Sequence, residues 1–313
     1  MHIRHDPSRG ASGALPIRAG WPRRRLCSAC AGLLTALVWA SPSTAAELLE
    51  QTLQVPVRWH APGGPLVQRT IAVKVVREAA QEPRPFLILH HGRPAERGAF
   101  ITLGLQDFPS NARYFAARGF VVLIPTRLGY GVSGGADVED TGPCADKKFV
   151  AGVAAAVSQT RQLLSFAADL PYVDTHRGIV FGESFGGLVA IAVASSDIAG
   201  VMGAVSIAGG DGGDLIHHID EPCRPDRLRA AFAAYGRANR LPTLWMYSAN
   251  DRVWGSRYPS QWYAAFAGAG GRGQFAALPA DKNNGHFIFT RNPPAWQPTF
   301  ERFAAELGFA GPR

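Results

Sequence analysis

The sequence predicts an α/β fold: a doubly wound, mostly parallel sheet of about eight strands, with helices on both faces and a small cap. Three observations predict it. The apolar runs "PFLILHH" (85–91), "FVVLIP" (120–125) and "TLWMYS" (243–248) lack the polar alternation of a strand with one wet face. Segments with helical character alternate with such runs. The junctions between them carry glycine, as in "HHGRP", "GYGVSGG" and "GESFGG".

The elements follow in order. Leu53–Trp59 and Thr70–Val76 read as a pair of strands. "PFLILHH" is a buried strand entering a glycine turn, and "SNARYFAARG" (110–119) is a helix with Ser110 as its cap and Gly119 as its stop. "FVVLIP" is the next strand and leads into the loop "RLGYGVSGG". A long helix covers Val150–Ala168 and ends before Pro171. "GIVFG" (178–182) is a strand and Phe185–Ser195 a helix. "VMGAVSIAGG" (201–210) holds a strand, 224–239 a helix, and "TLWMYS" a strand. A helix within 257–271, the strand "GQFAALP" (273–279) and a helix over 295–309 complete the pattern.

Residues 1–46 read as a secretory signal and not as folded protein. Arg23-Arg24-Arg25 precedes the apolar stretch Leu26–Ala40, and "SPSTAA" supplies small residues for cleavage near Ala46. The apolar stretch is shorter than the roughly 20 residues of a membrane span, so no stable membrane anchor is expected after cleavage. Residues 47–313 then form a single catalytic domain, secreted or periplasmic. The leader holds six arginines against one aspartate, +5 of the chain's +8, which leaves only +3 for the remainder. No basic, aromatic-interleaved stripe remains, so no nucleic-acid partner is expected. Oligomeric state cannot be read from the sequence. Cys144 and Cys223 remain after the leader, an even pair in an oxidising compartment, and a disulfide between them is expected. Two cysteines without a histidine pair at ligand spacing predict no metal site.

"GESFGG" places Ser184 between Gly182 and Gly186 at a strand-to-helix junction. Such an elbow presents a serine on strained backbone, and side chains two positions either side would collide. A serine hydroxyl needs a base, and the base needs an acid to orient it. "SANDRVWG" offers Asp251 after one strand and "DKNNGHFIF" offers His286 after the next. Asp211 and Asp214 are rival acids. His217 and His218 lie in the wrong order for a base, and His60 and His176 fall near strand starts on the opposite rim. Backbone N–H groups of Arg93, in "HHGRP", and of Phe185, at the start of its helix, are the expected oxyanion donors. Tyr130, Trp254 and His217 are expected to shape the substrate pocket.

Together "HHGRP", "RLGYGVSGG", "GESFGG", "SANDRVWG" and "NGHFIF" resemble the α/β-hydrolase superfamily, over roughly residues 50–310. The branch they resemble is that of exported dienelactone-hydrolase-like proteins and serine carboxylesterases. Dienelactone hydrolases proper carry a cysteine nucleophile where this chain has Ser184. The resemblance implies the triad Ser184–His286–Asp251, no cofactor, and ester hydrolysis; the short stretch between Gly210 and Pro225 implies a small cap and an open pocket, suited to a small-molecule or polymer-end ester. A peptidase or amidase of the prolyl-oligopeptidase-like type would use the same triad, although no propeller domain is present. A non-catalytic binding protein on the same scaffold is the third reading.

Overall fold

The computed structural model describes residues 47–60, 63–79, 82–96 and 98–309. The expected signal segment, 1–46, lies outside the described residues. The strands are β1 (Leu48–His60), β2 (Leu66–Glu78), β3 (Arg84–His90), β4 (Val121–Pro125), β5 (Val173–Glu183), β6 (Val201–Ile207), β7 (Thr243–Ser248) and β8 (Gly273–Leu278). The helices are α1 (Pro109–Ala116), α2 (Phe149–Ala167), α3 (Phe185–Ala194), α4 (Pro225–Ala238), α5 (Tyr258–Gly268), the single turn α6 (Ile288–Arg291) and α7 (Pro293–Glu306).

All eight strands form one sheet in the order β1-β2-β4-β3-β5-β6-β7-β8. β1 pairs with β2, and β2 with β4, antiparallel; β4, β3 and β5 to β8 run parallel. The absence of alternation in the central strands has a direct cause, because successive side chains feed two different cores. In β3, Phe86 and Ile88 enter the core beneath α2, α3, α4 and α5, while Leu87 and Leu89 enter the core beneath α1 and α7. The same split divides Val121 and Leu123 from Val122 and Ile124 in β4. α3 is buried along its whole length, so it forms the centre of the first layer. An aromatic group fixes the second. Phe181 stacks on Phe289 with centroids 5.1 Å apart, and Phe115 meets Phe300 edge-on at 5.0 Å.

Two expectations need correction. α1 begins at Pro109, so Ser110 sits within the first turn and does not cap it. Phe108 adopts a left-handed conformation (φ 42°) immediately before, and proline's fixed φ suits the first helical position. His60 closes β1 rather than opening a strand, opposite Leu66. His176 does lie in the first half of β5. Among the described residues no helix is long and apolar enough to cross a membrane.

The chain moves from β3 outward to β4, then returns across β3 to β5. This reversal opens a crevice beyond the carboxyl ends of β3 and β5, the place where open α/β sheets bind ligands. Two connections bordering that rim are joined. Cys144, after β4, and Cys223, after β6, form a disulfide with Cα atoms 5.0 Å apart. Polar bonds continue the seam. Thr141 Oγ1 donates to Asp211 Oδ2 at 2.5 Å, Arg227 pairs with Asp146, and Arg224 donates to the Ala145 carbonyl.

The bond spans 79 residues of sequence, for which loop-closure entropy gives a stabilisation of about 4.5 kcal/mol. Cys144→Ser with Cys223→Ser is therefore expected to lower unfolding free energy by roughly that amount, measured in urea. An unchanged midpoint would show that the crosslink constrains nothing in the unfolded chain.

Candidate active site

Ser184 follows the last residue of β5 and precedes the first of α3. Its backbone, at φ 54° and ψ −122°, lies in a region that side chains disfavour. Four backbone hydrogen bonds hold it there: the Ser184 N–H donates to the Ile207 carbonyl (3.1 Å), and the Ser184 carbonyl accepts from the N–H groups of Gly187 (2.8 Å), Gly210 (3.1 Å) and Leu188 (3.3 Å). The flanking glycines are required by contact. A Cβ on Gly182 would overlap the Gly186 carbonyl, and one on Gly186 would overlap the carbonyls of His90 and His91.

The structure brings Ser184, His286 and Asp251 together. Ser184 Oγ lies 3.1 Å from His286 Nε2, and His286 Nδ1 lies 3.0 Å from Asp251 Oδ2. All three residues are buried. The other Asp251 oxygen accepts the N–H groups of Val253 (2.8 Å) and Trp254 (3.1 Å), which fixes the carboxylate plane. Asn284 joins the two loops: its Oδ1 accepts the backbone N–H of His286 and that of Arg252, both at 3.0 Å. The sequence reading did not single out Asn284. The run "DKNNGH" contains it, but its partner Arg252 is 32 residues away.

Burial works against a charged His286, but Asp251, through its charge and hydrogen bond, and then the charge of Glu183 outweigh it. The imidazole is held above its ordinary value. His90 and His91 behave oppositely. Burial, then the charge of Arg127, drives both well below the ordinary range and keeps them neutral.

The first four N–H groups of a helix lack intrahelical partners, and Phe185 supplies the first of α3. Arg93 stands in the turn after β3. Its side chain is engaged elsewhere, donating to both oxygens of Asp137 (2.9 and 2.5 Å) and to the Tyr130 hydroxyl (2.9 Å). The guanidinium is thus occupied by Asp137 and Tyr130. Behind the turn lies a fully buried ion pair, Arg127 Nε to Glu139 Oε1 at 2.8 Å, and Arg127 Nη1 donates to the His91 carbonyl at 2.8 Å. Neither pair was legible as a pair in the sequence.

The side chains expected to shape the pocket occupy different settings. Tyr130 is fully buried and packs edge-on against His91, with centroids 4.7 Å apart. Trp254 is buried behind the base, its ring 5.3 Å from His286 and its indole N–H donating to the Ala208 carbonyl at 2.6 Å. His217 is exposed and bonded through Nδ1 to Asp214 Oδ2 at 2.8 Å, which holds the Asp214 carboxyl at about 2. Neither rival acid reaches the base: Asp211 accepts from Thr141 and Asp214 from His217. His218 Nε2 lies 3.9 Å from Cys144 Sγ. The two sulfurs near it are bonded to each other and provide no thiolate for a metal.

Residues 87–311 match the alpha/beta hydrolase family, and the chain belongs to it. Solved structures share the fold at low identity. A Klebsiella pneumoniae protein named as a candidate dienelactone hydrolase aligns with TM-score 0.57 and 14% identity, covering 84% of this chain and all of its own. The acetyl xylan esterase of Paenibacillus sp. R4 aligns with TM-score 0.54 and 16% identity, covering 83% of this chain and 89% of its own. The Pyrococcus horikoshii acylaminoacyl peptidase gives TM-score 0.52 and 13% identity over 85% of this chain but 43% of its own. No curated protein matches the chain by sequence.

Gly186→Ala tests the close approach at the elbow. The added methyl is expected to push back the end of β3 and lower stability by about 1–3 kcal/mol in chemical unfolding. A variant as stable as the parent would mean that the strands part without cost.

Proposed function

We propose that the protein is an exported serine hydrolase that cleaves carboxylic esters through an acyl-enzyme. The observation that carries this reading is the unbroken hydrogen-bonded chain Asp251–His286–Ser184, with links of 3.0 and 3.1 Å, at the crevice of an α/β-hydrolase sheet. In this reading Ser184 Oγ attacks the carbonyl carbon while His286 Nε2 takes its proton. The carbonyl oxygen becomes an oxyanion and accepts from the N–H groups of Phe185 and Arg93. His286 then returns the proton to the leaving alcohol as the C–O bond breaks. Water attacks the acyl-serine, loses its proton to His286, and frees the acid as Ser184 is reprotonated. Asp251 keeps the Nδ1 proton in place and stabilises the imidazolium throughout. The steps balance without metal or organic cofactor.

A small-molecule or polymer-end ester fits the short connection between Gly210 and Pro225, which is the only cap the β6-to-α4 region supplies. Export is supported by the leader-like N-terminus together with the Cys144–Cys223 disulfide. Ester cleavage is the activity named for the Paenibacillus fold relative, and peptide cleavage for the Pyrococcus one.

The test is a panel of p-nitrophenyl esters and aminoacyl anilides. Turnover of esters is expected to exceed that of anilides; the reverse order would favour the peptidase reading. Ser184→Ala is expected to lower turnover about a million-fold and Asp251→Asn about ten-thousand-fold, each in a folded protein. More than a few per cent of activity in purified Ser184→Ala would defeat the assignment.

A further inference from the structure

Among the described residues, one group of metal-ligating side chains stands outside the candidate active site. The ligand atoms of Cys144, His218 and Cys223 all lie within 4.8 Å of one another. Cys144 and His218 are exposed, Cys223 is buried, and His218 Nε2 stands 3.9 Å from Cys144 Sγ. In the oxidised chain the two sulfurs are joined, so neither is a ligand. Contacts other than the disulfide hold the three groups together. On one side, the His218 N–H donates to the Asp214 carbonyl (3.0 Å), and the Cys223 N–H donates to the Gly212 carbonyl (2.8 Å). Across the seam, Thr141 Oγ1 donates to Asp211 (2.5 Å), and Arg224 donates to the Ala145 carbonyl (3.1 Å). Arg227 pairs with Asp146 and donates to the Lys147 carbonyl (3.2 Å). Residues on both flanks of Cys144 are therefore bound to residues on both flanks of Cys223.

We propose that reduction by a dithiol converts this disulfide into a binding site for a thiophilic divalent cation, Zn²⁺ first, with Cys144, Cys223 and His218 as its ligands. The fourth position is open to water. A thiolate of the dithiol attacks the exposed Cys144 sulfur, and the electron pair of the old S–S bond leaves on Cys223. The second thiol of the reductant then displaces Cys144 and closes to a cyclic disulfide. Two electrons and two protons have passed to the protein. The cation displaces those two protons from the thiols and takes the lone pair of the neutral His218 Nε2. The proposal stands independently of the triad reading.

The donor set selects the ion. Zinc takes thiolate sulfur at about 2.3 Å and imidazole nitrogen at about 2.0 Å in tetrahedral array, which sets two sulfurs about 3.8 Å apart. Cα atoms 5.0 Å apart accommodate that spacing by rotation of the two side chains. Magnesium and calcium prefer oxygen ligands, and none of the three ligands is a carboxylate. Disulfide and ion exclude each other, because both need the same two sulfurs. When bound, the ion replaces the covalent tie between the connections after β4 and β6.

The experiment uses the full chain carrying Cys27→Ser and Cys30→Ser, which leaves Cys144 and Cys223 as its two cysteines. The protein is reduced with dithiothreitol, desalted without oxygen, and titrated with Co²⁺ and then Zn²⁺. Reduced protein is expected to take up one Co²⁺ per chain with thiolate-to-cobalt charge-transfer absorption, which Zn²⁺ abolishes by displacement. Oxidised protein is expected to show no such absorption. Zn²⁺ should also raise the unfolding midpoint of the reduced chain and slow the return of the disulfide in air. His218→Ala keeps both thiols and is expected to weaken Zn²⁺ binding by more than about tenfold, the loss that even outer-shell partners of a metal cause. His217→Ala, next to it, is expected to leave binding unchanged. Absence of the charge-transfer band in reduced protein that remains folded by circular dichroism overturns the site. So does a reduced chain that unfolds, because the seam then depends on the disulfide after all. Equal Zn²⁺ affinity in His218→Ala and its parent, or a loss in His217→Ala instead, overturns the assignment of the third ligand.

Discussion

The close approach of β3, β5 and β6 around residues 182–187 is the constraint on which the rest of the site depends. It forces Ser184 into a backbone conformation of the kind that costs about 1–3 kcal/mol, and it is maintained by the four backbone hydrogen bonds that tie Ser184 to Ile207, Gly187, Leu188 and Gly210. Glycine at 182 and 186 is what lets the strands and helix come so near. With the elbow in place, Ser184 Oγ lies 3.1 Å from His286 Nε2, and Phe185 opens α3 immediately after it. The turn after β3 packs directly against the elbow: a Cβ on Gly92 would stand 3.1 Å from the Ser184 Cβ.

A layer of polar side chains then fixes what surrounds the serine. On one side, the buried Arg127–Glu139 pair and the Arg93–Asp137 pair brace the turn after β3. Burying a complete ion pair costs desolvation, and its return here is geometric definition more than net stability. On the other side, Asn284 bridges the acid and base loops, and two N–H groups orient Asp251. The spacing of Ser184, His286 and Asp251 follows from both sets of contacts. The disulfide between Cys144 and Cys223 closes the outer seam between the loops that follow β4 and β6.

Much of the fold was legible because the central strands bury both faces. Continuous apolar runs such as Leu87-Ile88-Leu89 left little choice but a covered parallel sheet. The edge was harder. β1 and β2 extend several residues beyond the apolar segments Leu53–Trp59 and Thr70–Val76, because antiparallel pairing carries exposed polar residues into the ladder. The start of α1 was missed because Phe108 turns the chain with a left-handed residue, a conformation no local preference announces for phenylalanine. The constellation Ser184, Asp251, His286 was visible from residue type, order and position after strands. Asn284 and Asp137 were not, since each matters only through a partner on a different loop. His217 illustrates the converse: a histidine in a promising loop pairs with its local Asp214 and stays exposed.

The account stands on Ser184 being a nucleophile activated where it sits. The direct measurement is reaction of the purified protein with a fluorophosphonate, followed by peptide mass spectrometry. The account predicts a single adduct on the peptide containing Ser184, with labelling lost in His286→Ala. No adduct, or an adduct on a different serine with Ser184 unmodified, would contradict it.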